Sequence, residues 1–153
     1  MKEIFIDRFL GDTSLTVLDI GATDINGTYK HLFKDYSYIG ADLQPGPNVD
    51  IVLPHPYKWD IGQWDIIISG QVLEHVEDIA AFMHAVHDAL KPGGITCHIA
   101  PWQCAEHKGS GTKTDCWRIL PDGMSWLFRN SQLTELLVDR IEGTIDTIGI
   151  ARK

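Results

Sequence analysis

The chain has 153 residues, 44% of them hydrophobic and 22% charged, with 13 basic against 21 acidic side chains for a net charge of −8. That length and balance suit one globular domain over residues 1–153, and they exclude a disordered, collagenous or disulfide-stapled chain. The acidic excess repels phosphate backbones and anionic lipid at long range, which argues against nucleic acid and membrane surfaces as partners.

Ile4, Phe5, Phe9 and Leu10 predict a short covering helix, while Glu3, Asp7, Arg8 and Asp12 interrupt any signal-peptide core, so the reading is cytoplasmic. Thr16 to Ile20 reads as a first strand ending at Gly21, Tyr38 to Asp42 as a second and Val49 to Leu53 as a third. Asp65 to Ser69 is a fourth. Its Ile66-Ile67-Ile68 run fits a strand covered on both faces and is far too short to cross a bilayer. Val76, Ile79, Ala80, Met83, Val86 and Leu90 recur at three- and four-residue steps and mark the buried stripe of a helix, which Pro92 and Gly93 end. Ile95 to Ala100 is a fifth strand. A shorter helix starts near Asp122 or Gly123 and runs through Leu127, and Leu136 to Ile141 and Ile145 to Ala151 form a hairpin around Glu142-Gly143. Strands alternating with helices imply an α/β three-layer sandwich: a mostly parallel seven-stranded sheet with one antiparallel strand near the C-terminus.

Cys97, Cys104 and Cys116 are odd in number and unpaired in spacing, as free thiols are. No Cys-x-x-Cys and no second histidine at ligand spacing joins Cys104, His107 and Cys116, so no metal is expected there. His84 and His87 beside Asp88 read as a solvated helix face, and His98 as a structural residue within a strand.

In an open α/β sheet, ligands bind where strands end. Asp19 lies near the end of the first strand and Asp42 ends the second, 23 residues later, close to the roughly 20-residue spacing by which an acid reaches a ribose. Positions 21 to 27 read Gly-Ala-Thr-Asp-Ile-Asn-Gly, without the Gly-x-Gly-x-x-Gly that lets a backbone approach a pyrophosphate, and no phosphate-cradling Gly-Lys-Ser/Thr loop is present. Acids at Asp19 and Asp24 favour a cationic ligand carrying a ribose and no phosphate. S-adenosylmethionine has those features; the alternative is a pair of solvated strand ends.

Val17-Leu18-Asp19-Ile20-Gly21, Ile39-Gly40-Ala41-Asp42 and Trp64 to Ser69 resemble successive motifs of class I S-adenosylmethionine-dependent methyltransferases, a Rossmann-like family. Gln71-Val72-Leu73-Glu74-His75-Val76 followed by Ala89-Leu90-Lys91-Pro92-Gly93-Gly94 is the most specific part and is similar to the group that includes ubiquinone-biosynthesis enzymes. Glu106-His107, Asp115-Cys116-Trp117-Arg118 and Pro121-Asp122-Gly123-Met124 resemble a subgroup of small bacterial and phage methyltransferases. The resemblance implies that Asp19, Gly21 and Ala22 hold the methionine end of the cofactor. It also implies that Asp42 binds the ribose, that Leu43 flanks the adenine, and that Ser69, Gly70 and Gln71 line the methyl-donor pocket. Thr23 and Ile25 stand where the common motif has glycines, with Asn26-Gly27 a substitute turn. Leu53-Pro54-His55-Pro56 lacks the acid that often meets the adenine amino group.

Methyl transfer is an in-line displacement whose catalysis comes largely from alignment and the exclusion of water. The long segment from Pro101 to Arg118 fits a functional loop. In it His107, with an ordinary pKa near 6.5, is the candidate base, with Glu106 and Asp115 to orient it and Arg118 to pin an acidic substrate or pair with Asp115. His75 is the second catalytic candidate. Trp102, Trp117 and Trp126 are candidates for the roof of the site or for its core. The expected activity is methyl transfer from S-adenosylmethionine to a small molecule or glycan. The alternatives are a silent cofactor-binding partner and a Rossmann-like enzyme using NAD or a nucleotide sugar.

Overall fold

In the computed structural model, which describes residues 1–25, 27–107 and 114–153, the strands are β1 (Thr16–Ile20), β2 (Ser37–Asp42), β3 (Ile51–Val52), β4 (Trp64–Gly70), β5 (Leu90–Pro101), β6 (Thr134–Arg140) and β7 (Asp146–Arg152). They form one sheet in the order β3-β2-β1-β4-β5-β7-β6. β1 pairs in parallel with β2 and β4, and the parallel ladder continues to β3 on one side and β5 on the other. β7 alone runs against the rest, pairing antiparallel with both β5 and β6.

Alternation along the central strands splits the core in two. Leu18, Ile20 and Ile67 face helices α2 (Ile79–Ala89) and α3 (Pro121–Asn130), packing with Phe82, Met83, Val86, Met124 and Phe128. Val17, Ile66 and Ile68 face the other way, onto Phe5, Ile6 and Phe33. That second layer is thin: a π-helical segment Lys2–Ile6 continuing into α1 (Asp7–Phe9), and a 3-10 turn, Tyr29–Phe33.

β5 starts at Leu90 rather than Ile95, so α2 ends at Ala89 and Pro92 and Gly93, expected to stop the helix, lie within the strand. Two further departures have local settings. The buried stripe was read from Val76, but α2 starts after Asp78, whose carboxylate accepts the Ala81 amide at 2.9 Å as an N-cap. Residues Leu73–His75 form a separate 3-10 turn before it. β3 is two residues long rather than five; ahead of it a left-handed Asn48 (φ 68°) sets its carbonyl against Gly40 of β2, where a Cβ would lie 2.0 Å from the Asn48 oxygen. Among the described residues no helix is long and apolar enough to cross a membrane.

Candidate active site at the carboxyl rim of the sheet

The register brings the ends of β1, β2 and β4 to one rim, with Ile20 beside both Ala41 and Ser69. A cleft of about 1140 Å³ opens there. It is lined by Asp19, Gly21, Ala22, Asp42 and Leu43 on the β1–β2 side and by Gly70, Gln71, His75 and His107 on the other, with Tyr29 between them. The space slightly exceeds what small-molecule sites usually occupy.

Asp19 is 3% exposed and accepts a 2.5 Å hydrogen bond from Tyr38 Oη. Burial pushes its carboxyl up to about 7; the tyrosine bond opposes this and the charge of Asp42 adds to it. Asp42 takes only long bonds, from the Thr23 amide at 3.2 Å and the Gln44 amide at 3.3 Å, so both its oxygens keep lone pairs for a ligand. Gly21 is left-handed (φ 76°), and a Cβ there would meet Val72 Cγ2 at 2.3 Å, so β1 ends on the one residue type that lets the Val72 segment come close. Thr23, in place of a glycine, turns its side chain toward Gly46, whose hypothetical Cβ would be 3.0 Å away. Ile25 stays exposed at the cleft. Gly27 is left-handed and donates to Asp24 Oδ1 at 2.9 Å, which closes the loop; Asn26 lies outside the described residues.

Across the cleft, β4 ends in a left-handed Gln71 (φ 58°), whose amide bonds to Ile99 O at 2.8 Å and whose side chain donates to Asp146 at 2.9 Å. The turn that follows is strapped by the segment after β5. The Cys116 and Trp117 amides donate to Glu74 O at 2.6 and 3.2 Å, and Thr114 Oγ1 donates to His75 O at 2.8 Å. Trp117 Nε1 donates to Val76 O at 2.7 Å. His75 Nδ1 lies 2.7 Å from Thr114 O; a carbonyl only accepts, so this nitrogen carries a proton, and in the neutral imidazole Nε2 is the atom with the lone pair. The His75 and His107 rings meet edge to face, 5.2 Å between centroids. Asp115 accepts the His107 amide at 2.7 Å and grips Arg118 through two bonds of 2.6 and 2.8 Å, which hold its carboxyl well below the usual range.

Residues 4–140 match the family described as methyltransferase domain. The chain belongs to that family. A stretch of 33 residues is 46% identical to the ubiquinone biosynthesis O-methyltransferase of Ruegeria pomeroyi, although the match spans 22% of this chain and 13% of that protein. Among solved structures, an S-adenosylmethionine-dependent methyltransferase from Mesorhizobium loti superposes with a TM-score of 0.73 at 14% identity, over 97% of this chain and 95% of that one. The Burkholderia thailandensis 1,6-didemethyltoxoflavin-N1-methyltransferase, solved with its substrate and S-adenosylhomocysteine, superposes with a TM-score of 0.75 at 16% identity, over 99% and 76%. The (4+2)-cyclase SpnF reaches 0.74 at 13% identity, over 99% and 80%, so the fold alone does not name a reaction. The seven-stranded architecture is that of S-adenosylmethionine-dependent methyltransferases.

In this methyltransferase domain Asp19, Gly21, Ala22, Asp42, Leu43, Gly70 and Gln71 come together on one cleft, with His75 and His107 at its far end. Ser69 does not join them. It is fully buried, its hydroxyl 2.7 Å from His98 Nδ1, and His98 in turn lies 2.8 Å from Thr96 Oγ1. Arg118 pairs with Asp115 rather than standing free for a substrate. None of the three tryptophans is among the residues lining the cleft: Trp117 and Trp126 are 42% and 52% exposed, and Trp102, half-buried, stacks under Arg140 at 4.1 Å. Sequence reasoning missed three groups. Tyr29, on a 3-10 turn without periodic signal, sits so close to Gly70 that a Cβ there would be 2.3 Å from its hydroxyl. Tyr38 was read only as a strand residue, though it holds Asp19. Glu74, in the most specific motif, was given no task; it is fully buried with neither carboxylate oxygen hydrogen-bonded to a partner. Burial pushes its carboxyl up to about 7, with its own backbone amide and the charge of His107 pulling the other way.

Proposed function

We propose that this domain transfers a methyl group from S-adenosylmethionine to a small-molecule or glycan acceptor. One observation carries the reading: two carboxylates, one buried and one with free lone pairs, bound the same end of a cleft that has two imidazoles at its other end. The donor set fits the cofactor. Asp19, held at low solvation, is drawn to a nearby cation such as the ligand's ammonium group. Asp42, only weakly engaged by backbone amides, suits a pair of ribose hydroxyls, and Leu43, 44% exposed at the cleft, suits an adenine face. Gly21 and Ala22 bring backbone to the methionine end, and Gly70 and Gln71 border the donor methyl, with Ser69 supporting them from behind.

When bound, the cofactor supplies a methyl on a positively charged sulfur that departs as a neutral thioether. The chain's own work is alignment of the acceptor, exclusion of water, and removal of the acceptor's proton where it has one. His75 and His107 are the groups placed for that last task. In calorimetry the protein is expected to bind S-adenosylmethionine and its demethylated product and to ignore NAD. His107→Ala is expected to slow transfer of a labelled methyl to acceptors while cofactor affinity stays unchanged. Binding of NAD without binding of the sulfonium compound would overturn the reading.

A further inference from the structure

We propose that Glu74, His75 and His107 form a binding site for a divalent transition-metal ion of the zinc type at the acceptor end of the cleft. The use of the ion rests on the methyl-transfer reading; the site itself does not. One ligand atom from each of these residues lies within 4.8 Å of the other two, and Glu74 Oε1 is 3.9 Å from His75 Nε2. Both Glu74 oxygens are buried without a hydrogen-bond partner. In the neutral imidazole, the His75 nitrogen 3.9 Å from Glu74 carries the lone pair, since its other nitrogen donates to Thr114 O. Two buried carboxylate oxygens without a partner thus converge with two imidazoles on one small volume, an arrangement that a cation at its centre satisfies.

The protein's nearest fixed cation is not free to fill that role. The Arg118 guanidinium is spent on Asp115 at 2.6 and 2.8 Å and on the carbonyls of Cys104, Ala105 and Trp117 at 3.1, 2.9 and 2.7 Å. The surroundings instead resemble the outer support of a metal centre. His75 Nδ1 lies 2.7 Å from the Thr114 carbonyl and His107 Nδ1 lies 3.4 Å from the Ala105 carbonyl, the way ligating imidazoles are commonly oriented through their second nitrogen. Two imidazoles and one carboxylate suit Zn²⁺, Co²⁺ or Fe²⁺, whereas Mg²⁺ and Ca²⁺ select oxygen ligands. His75 and His107 both line the cleft, so a fourth position on the ion faces the acceptor. With the two imidazoles engaged as ligands, an acceptor hydroxyl bound there gives its proton to solvent instead of to a histidine, as metal-bound water does, and its oxygen bonds the methyl carbon as the carbon–sulfur bond breaks and the neutral thioether leaves. The cysteine-based zinc set dismissed from the sequence drew on His107 but on none of its partners here.

The test uses the whole chain, stripped with a chelator and titrated with Co²⁺ and Zn²⁺. One Co²⁺ per chain is expected, with the visible absorption of a low-coordinate site; Zn²⁺ displaces it and raises the melting temperature, and millimolar Mg²⁺ does neither. His107→Ala and Glu74→Gln are each expected to weaken Zn²⁺ binding by about a hundredfold or more, the upper range for losses around such centres. His84→Ala with His87→Ala, remote on α2, is expected to leave binding intact. Zn²⁺ binding equal in wild type and both site variants, or absent from wild type, overturns the site. Should Glu74→Gln fail to fold, His107→Ala alone decides. Cofactor calorimetry on the same samples separates the two ideas: cofactor binding without Co²⁺ binding sinks this site only, and Co²⁺ binding without cofactor binding sinks the methyl-transfer reading only.

Discussion

At the β1–β2 end of the cleft, each functional side chain stands within a residue or two of a strand terminus, held by the ladder of a parallel sheet. At the far end, Glu74 and His75 sit on a 3-10 turn, and the segment of residues 114–117, nearly forty positions later, ties them in place through hydrogen bonds. The first end borrows its rigidity from the core. The second makes its own from a handful of polar contacts, so its stability is expected to be local and its losses partial.

The largest expected effect concerns Asp19. Its native pKa is raised to about 7 from 3.8, so the folded state binds the proton more tightly than the unfolded chain does. The stability that this proton confers is complete below about pH 4 and is withdrawn as pH rises through 7. At about 1.4 kcal/mol per unit over roughly three units, the swing is at most about 4 kcal/mol. Asp19→Asn is expected to flatten that part of the pH profile and to lose cofactor affinity. Urea titrations at pH 5 and pH 8 measure it, and a wild-type slope in the variant would show that the ladder does not hold Asp19 in the state described.

Asp42→Ala comes next. Loss of charge-assisted bonds to the ribose is expected to weaken the cofactor by about 2–3 kcal/mol, roughly 30- to 160-fold, with little change in folding. Unchanged affinity in calorimetry removes Asp42 from the site. The smallest effect probes the other end. Thr114→Val deletes the 2.8 Å bond to His75 O and is expected to cost about 1 kcal/mol of stability and to slow methyl transfer, while cofactor affinity holds. A matching fall in cofactor affinity would mean that the two ends are mechanically one.

Much of this was legible in advance because it is written in short-range pattern. β1 occupies Thr16–Ile20 as read, and the Ile66-Ile67-Ile68 run lies in a central strand covered on both faces. The departures are equally instructive. Ser69 follows the same run, yet strand alternation turns it onto His98 instead of the cleft. Trp126, a large aromatic that composition would bury, is half exposed on α3 because Met124, Leu127 and Phe128 take the inward face. Thr23 replaces a glycine without blocking the cleft because Gly46 leaves room for its methyl group.

The strands, the long helix and the two rim carboxylates followed from the sequence by itself, since periods of two and about 3.6 residues and strand-ending acids are properties of neighbours in the chain. Only the tertiary structure decided that Glu74, His75 and His107 share one small volume, that Arg118 is consumed by Asp115, and that Tyr38 holds Asp19. Those meetings depend on loops and strand registers that bring distant residues together, and no local periodicity records them.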